Sequence, residues 1–259
     1  MSAAHIGSTA PLVFIHGWAM TPAAWRPVME LLPGGRGGHS GDHIALPLPG
    51  HAHAPQAAAA TLESWASALA ARVPHGSTVV GWSLGALLAL ELAALQPERV
   101  RALVLISATP RFVADADWAY GLDARTVVSF LEGYASAPGA TLRRFFALQT
   151  LGDAARRTLL PRLEAASQPH PDAAQAALQD GLHLLASSDV RPRLAAIRVP
   201  VQLIHGACDA LMPLAAANWL ATALPQAKLS VLEDCGHAPL LSRPAECAAL
   251  IQDAHERHT

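Results

Sequence analysis

The sequence predicts an α/β fold: a doubly wound, mostly parallel sheet with a helical cap inserted into it. Three observations carry that expectation. Short, largely apolar runs, at 12–15, 78–80, 101–106 and 201–204, alternate with helical stretches, as suits parallel strands buried on both faces. Polar or glycine-containing turns follow these runs, where an open α/β sheet presents its functional loops. Between Ser107 and Ser188 the strand signals stop and only helical, amphipathic patterns remain. The expected division is a core of 1–109 and 189–259 with a cap of 110–188.

Each element has its own signal. Pro11 to Ile15 is an apolar strand that ends in His16-Gly17-Trp18. Thr21 to Leu32 reads as a first helix, with Thr21 as cap and Pro22 in the first turn. A glycine-rich loop, 34–42, leads to a strand at 43–48, and Leu62, Trp65, Leu69 and Val73 give helical periodicity to 61–73. Thr78-Val79-Val80 ends a buried strand; Leu84 to Leu95 is an apolar helix stopped by Gln96-Pro97. Arg101 to Ile106 is a further buried strand, and cap helices are expected at 126–134, 140–151, 153–166 and 171–185. Strands at Val201–Gly206 and Lys228–Leu232 complete the pattern.

The strand–helix junction at 81–85 reads Gly-Trp-Ser-Leu-Gly. A serine at the apex of such a turn is held clear of the sheet, and small flanking residues avoid collision with the adjoining strand and helix. A nucleophilic serine needs a base and an orienting acid. Asp209 lies just past the end of one strand and His237 just past the next. The order Ser83, Asp209, His237 is that of the α/β-hydrolases and not of the chymotrypsin or subtilisin designs. The backbone N–H groups of Trp18 and Leu84 are the expected oxyanion donors, and losing one such donor costs about 2.7–4 kcal/mol of transition-state stabilisation.

Composition sets limits. Hydrophobic residues make up 52% of 259, enough for a core, and the net charge of −2 gives no reason to expect nucleic acid binding. There is no apolar run long enough for a membrane span and no basic-then-apolar leader, so a cytoplasmic, monomeric protein is expected. Cys208, Cys235 and Cys247 form no disulfide framework, and for Cys208 and Cys235, beside Asp209 and His237, buried filler is the better reading. His51 with His53, and His39 with His43, are loop pairs without the spacing of a zinc site, so no metal and no other cofactor is expected. In the cap, Phe112, Phe130, Phe145 and Phe146 either line an acyl channel or pack helix on helix. Arg125, Arg143, Arg144, Arg156, Arg157 and Arg162 form either a solvated face or a dock for an acidic partner.

His-Gly-Trp at 16–18, Gly-Trp-Ser-Leu-Gly at 81–85, Pro-Glu-Arg-Val at 97–100 and Arg-Phe-Phe-Ala-Leu-Gln-Thr-Leu-Gly at 144–152 together resemble the pimeloyl-[acyl-carrier protein] methyl ester esterases of biotin synthesis. The first two motifs are shared by many α/β-hydrolases; the cap run carries the narrower likeness. The resemblance implies a cofactor-free serine esterase with Ser83, Asp209 and His237 as its triad, and Trp18 and Leu84 as its oxyanion hole. It further implies acyl contacts at Trp18, Trp82, Phe112, Phe130 and Phe145. Arg144 and Arg157 match cap arginines that meet the acyl-carrier protein and its phosphopantetheine. The chain departs from the family at 47–52, which lacks the usual aspartate, and at Ala140 and Pro161, where arginine is expected. Two alternatives stay open: a general carboxylesterase or lactonase acting on small free esters, and a receptor-like binding protein of the same fold with little turnover.

Overall fold

Six strands, β1 (Leu12–Ile15), β2 (His43–Leu46), β3 (Ser77–Trp82), β4 (Val100–Ile106), β5 (Val201–Gly206) and β6 (Ala227–Leu232), pair in parallel in the order β2-β1-β3-β4-β5-β6. They belong to a computed structural model that describes residues 10–34, 43–167 and 172–257; the stretch 35–42, with His39, lies outside the described residues. Every residue of β1, β3 and β5 is buried, as befits central parallel strands covered on both faces. The helices in chain order are α1 (Arg26–Met29), α2 (Leu62–Ala70), α3 (Leu84–Leu95), α4 (Ala124–Ser136), α5 (Pro138–Gln149), α6 (Arg156–Ala166), α7 (Asp172–Ser187), α8 (Leu214–Ala223), α9 (Pro239–Ser242) and α10 (Pro244–Glu256).

The chain runs from β1 outward to β2 and then back past β1 to β3. Right-handed crossovers therefore put α1 on one face of the sheet and α2 and α3 on the other. The order reverses between β1 and β3, and a crevice opens at the carboxyl ends of strands on either side of such a switch. α3 is apolar all round because it is covered on all sides. Its one acid, Glu91, is buried and lies 3.1 Å from Arg193. Burial pushes this carboxyl above its ordinary range against the pull of Arg193, with Glu63 adding to the rise.

The expected first helix over 21–32 is broken. Thr21 does act as a cap, accepting from the Ala23 N–H, but Pro22–Trp25 forms a 3₁₀ turn and only Arg26–Met29 is α-helical. Pro27 has no N–H for a helical bond to the turn before it. The third cap helix begins at Arg156 and not at Asp153, because the Asp153 carboxylate accepts from the N–H groups of Ala155 and Gly236.

Helices α4 to α7 all lie between β4 and β5. The chain segments leading into and out of this insertion are joined. The Val190 N–H donates to Pro110 O, Arg111 and Asp189 form an isolated antiparallel bridge, and Arg191 pairs with Asp117 and Asp189. No helix among the described residues is long and apolar enough to cross a membrane.

Candidate active site

Ser83 sits between β3 and α3 with φ 57° and ψ −118°, a conformation that L residues adopt only where the surroundings enforce it. The enforcement is visible in the glycines. A Cβ on Gly81 would lie 2.5 Å from Gly85 O and 2.7 Å from Ala86 Cα, and one on Gly85 would strike Ile15 O. The turn can close only because both positions lack a side chain. Ser83 occupies the helix cap position, yet its hydroxyl makes no capping bond. It is turned toward His237 instead.

His237 Nε2 lies 3.0 Å from Ser83 Oγ, and His237 Nδ1 lies 2.8 Å from Asp209 Oδ2. A carboxylate only accepts, so Nδ1 carries the hydrogen and Nε2 is free to take a proton from the hydroxyl. The other carboxylate oxygen, Oδ1, accepts from the N–H groups of Leu211 and Met212, each at 2.9 Å. Burial alone would raise the Asp209 carboxyl. The charge and hydrogen bond of His237, with help from His205 and the Met212 N–H, outweigh it and hold the group below the ordinary carboxylate range. All three side chains are buried, and they come from the turn after β3 and the loops after β5 and β6.

Register brings the fourth element in. Ile15 pairs with Gly81, so His16-Gly17-Trp18 continues alongside Trp82-Ser83-Leu84. A Cβ on Gly17 would lie 3.2 Å from Ser83 Cβ. The backbone at Trp18 thus runs beside the serine. The Leu84 N–H, at the first helical position, has no acceptor within its own helix and lies at the positive end of the α3 dipole.

Of the expected acyl contacts, Trp18 and Phe145 meet edge to face at 4.8 Å, and Phe130 meets Phe145 at 6.0 Å. Tyr134, which the sequence reading missed, completes the group, edge-on to Trp18 at 5.7 Å. Burial pushes its phenol up to about 12. The Trp18 indole N–H donates to Leu178 O, and Gly181 leaves room for the ring under α7. The Trp82 indole N–H donates to His237 O, so this ring braces the histidine loop. Phe112 is buried at the start of the insertion, and among the described residues no ring pair joins it to the Trp18 group.

Arg144 and Arg157 are exposed on the insertion. The Arg144 guanidinium stacks 4.9 Å over Phe130 and donates to Ser129 Oγ, whereas Arg162 donates to Leu241 O and ties α6 to the core. Burial lifts the Cys235 thiol to about 12 and Cys247 well above its ordinary value, which suits filler and not nucleophiles, whereas Cys208, expected as buried filler, is exposed on the loop after β5.

The segment after α5 supports the histidine loop in a way the sequence reading did not foresee. The His237 N–H donates to Gln149 O, the Gly236 N–H to Asp153 Oδ2, and the Ala154 N–H to Asp234 O. Gly152, at φ 77°, lets this segment cross Cys208, which a Cβ would meet at 2.6 Å. The motif that holds these residues was legible; its contacts were not.

His16 and His51 tie the turn after β1 to the loop after β2. His16 Nδ1 donates to Gly17 O while Nε2 accepts from the Leu48 N–H, which fixes a neutral ring. Burial lowers His16 to about 3, with the neighbouring His51 adding to the effect, and lowers His51 to about 4. Both folded values lie below the unfolded 6.5, so the unfolded chain takes up protons first as pH falls. Their contribution is fully present above pH 6.5 and declines as the pH falls from 6.5 to about 4 for His51 and about 3 for His16. At pH 5 the pair should have cost the fold about 4 kcal/mol relative to pH 7. Urea midpoints at the two pH values check this, and His51→Gln should recover about half of the loss.

Residues 12–250 match the model of the alpha/beta hydrolase family. The chain is 51% identical to the pimeloyl-[acyl-carrier protein] methyl ester esterase of Aromatoleum aromaticum, covering 93% of this chain and 96% of that one. It is 39% identical to the protein of the same name from Nitrosomonas europaea, over 95% and 97% of the two chains. Among solved structures, an esterase from Exiguobacterium antarcticum superposes with a TM-score of 0.80 at 19% identity, over 97% and 93% of the chains, a likeness of fold.

Proposed function

The chain belongs to the alpha/beta hydrolase family and, within it, to the pimeloyl-[acyl-carrier protein] methyl ester esterases; from that premise we propose that it is a serine carboxylesterase that removes the methyl ester of pimeloyl-[acyl-carrier protein] in biotin synthesis. The observation that carries the reading is the hydrogen-bonded chain from Ser83 through His237 to Asp209, drawn from the loops beyond the carboxyl ends of β3, β6 and β5.

In the proposed mechanism His237 Nε2 takes the Ser83 proton as the hydroxyl oxygen attacks the ester carbonyl. Asp209 holds the ring tautomer and stabilises the imidazolium. The amides of Leu84 and Trp18 receive the oxyanion. The tetrahedral adduct collapses, methanol leaves with the proton from His237, and an acyl-enzyme remains on Ser83. Water, deprotonated by the same histidine, attacks the acyl carbonyl and releases the free acid. Trp18, Phe145, Phe130 and Tyr134 supply the apolar wall for the acyl chain. Residues 110–188 act as a cap over the site, and the exposed guanidiniums of Arg144 and Arg157 face the acidic carrier.

Steady-state hydrolysis of pimeloyl methyl ester, free and carrier-bound, tests this. Two rim charges worth about 0.7 kcal/mol each make Arg144→Ala/Arg157→Ala about tenfold weaker in kcat/KM on the carrier-bound ester. The free ester should be unaffected. Equal rates of the double variant and wild type on both substrates would leave a general carboxylesterase.

A further inference from the structure

Resting on the reading of Ser83, Asp209 and His237 as a triad, we infer that His205 is a positioning residue of this site: a second imidazole that clasps the Asp209 loop and keeps the carboxylate aimed at His237. His205 is the penultimate residue of β5, four positions before Asp209, and is buried. Its Nε2 lies 2.7 Å from Met212 O and 3.6 Å from Asp209 Oδ2. A carbonyl oxygen only accepts, so Nε2 carries a hydrogen, and that N–H sits beside the same oxygen that receives His237. The two imidazoles therefore flank one carboxylate, one from the end of β5 and one from the loop after β6.

The bond from His205 to Met212 closes the turn that carries Asp209. Oδ1 is held by the Leu211 and Met212 N–H groups of the turn itself, which leaves Oδ2 for His237. The orientation of the carboxylate is thus only as firm as the tie between that turn and the strand. Burial keeps the His205 ring below its ordinary range against the pull of Asp209 and Met212 O, and His237 adds to the lowering. The ring is accordingly neutral and presents a dipole, not a competing charge. A displacement of about 1 Å at a catalytic group costs up to about 100-fold in rate, so a clasp of this kind acts on turnover more than on binding.

His205→Phe keeps the volume and loses the donor; His205→Gln keeps a donor. In His205→Phe, kcat should fall about 10- to 100-fold with KM little changed, and His205→Gln should recover most of the loss. The low-field proton resonance of the His237–Asp209 bond, recorded without substrate, should be clear in wild type and His205→Gln and lost in His205→Phe. Wild-type kcat with an unmoved resonance in His205→Phe would overturn the assignment. So would equal losses in both variants with the resonance intact. An inactive wild type would end the esterase reading while the resonance still decided the role of His205.

Discussion

Ser83→Ala should lower kcat by about 10⁶-fold, since removing one member of a cooperating triad costs nearly as much as removing all of it. The fold should tolerate the change. Alanine retains the Cβ, the serine hydroxyl makes no capping bond to α3, and Gly81 and Gly85 still permit the turn. The thermal midpoint should therefore stay close to that of wild type while the substrate still binds. Multiple-turnover hydrolysis of pimeloyl methyl ester is the measurement, with circular dichroism to confirm folding. Full turnover by Ser83→Ala would sink the mechanism. A wild type that releases one equivalent of acid and stops would instead favour the receptor-like alternative.

Asp209→Asn should cost about 10⁴-fold in kcat without unfolding the loop. The amide oxygen can still accept the Leu211 and Met212 N–H groups, now at Oδ1. The amide NH₂ then falls at the Oδ2 position, facing His237 Nδ1 at 2.8 Å. Two donors cannot share that contact, so the ring turns to the tautomer with hydrogen on Nε2, which cannot take the serine proton. Binding of a non-hydrolysable ester analogue should be little changed, because the defect lies in proton transfer. A kcat within tenfold of wild type would show that His237 does not depend on Asp209 for its orientation.

Much of this arrangement was legible because it is written in short windows of sequence. Leu84–Leu95 was expected as a helix and is one to the residue, since a glycine turn before it and Gln96-Pro97 after it mark both ends. The strands were legible as apolar runs, and Ser83, Asp209 and His237 as polar residues just past their ends. Where local signals conflicted, the reading slipped: Thr21 and Pro22 signalled a start, but Pro22–Trp25 is a 3₁₀ turn and only Arg26–Met29 of the helix expected over 21–32 is α-helical.

What escaped the sequence lies across long separations. His237 meets Ser83 over 154 residues, and Gly236 meets Asp153 over 83. Nothing local marked His205, Gln149 or Asp153 as partners of the candidate site, because each is defined by what faces it across the sheet or from the insertion. Residue type and spacing specified the turns, the strand cores and the chemistry available at each loop. Which loops meet, which oxygen of Asp209 faces which imidazole, and which rings gather around Trp18 follow from strand register and helix packing. Those are set by the simultaneous burial of every apolar face, a property of the whole chain that no single window contains.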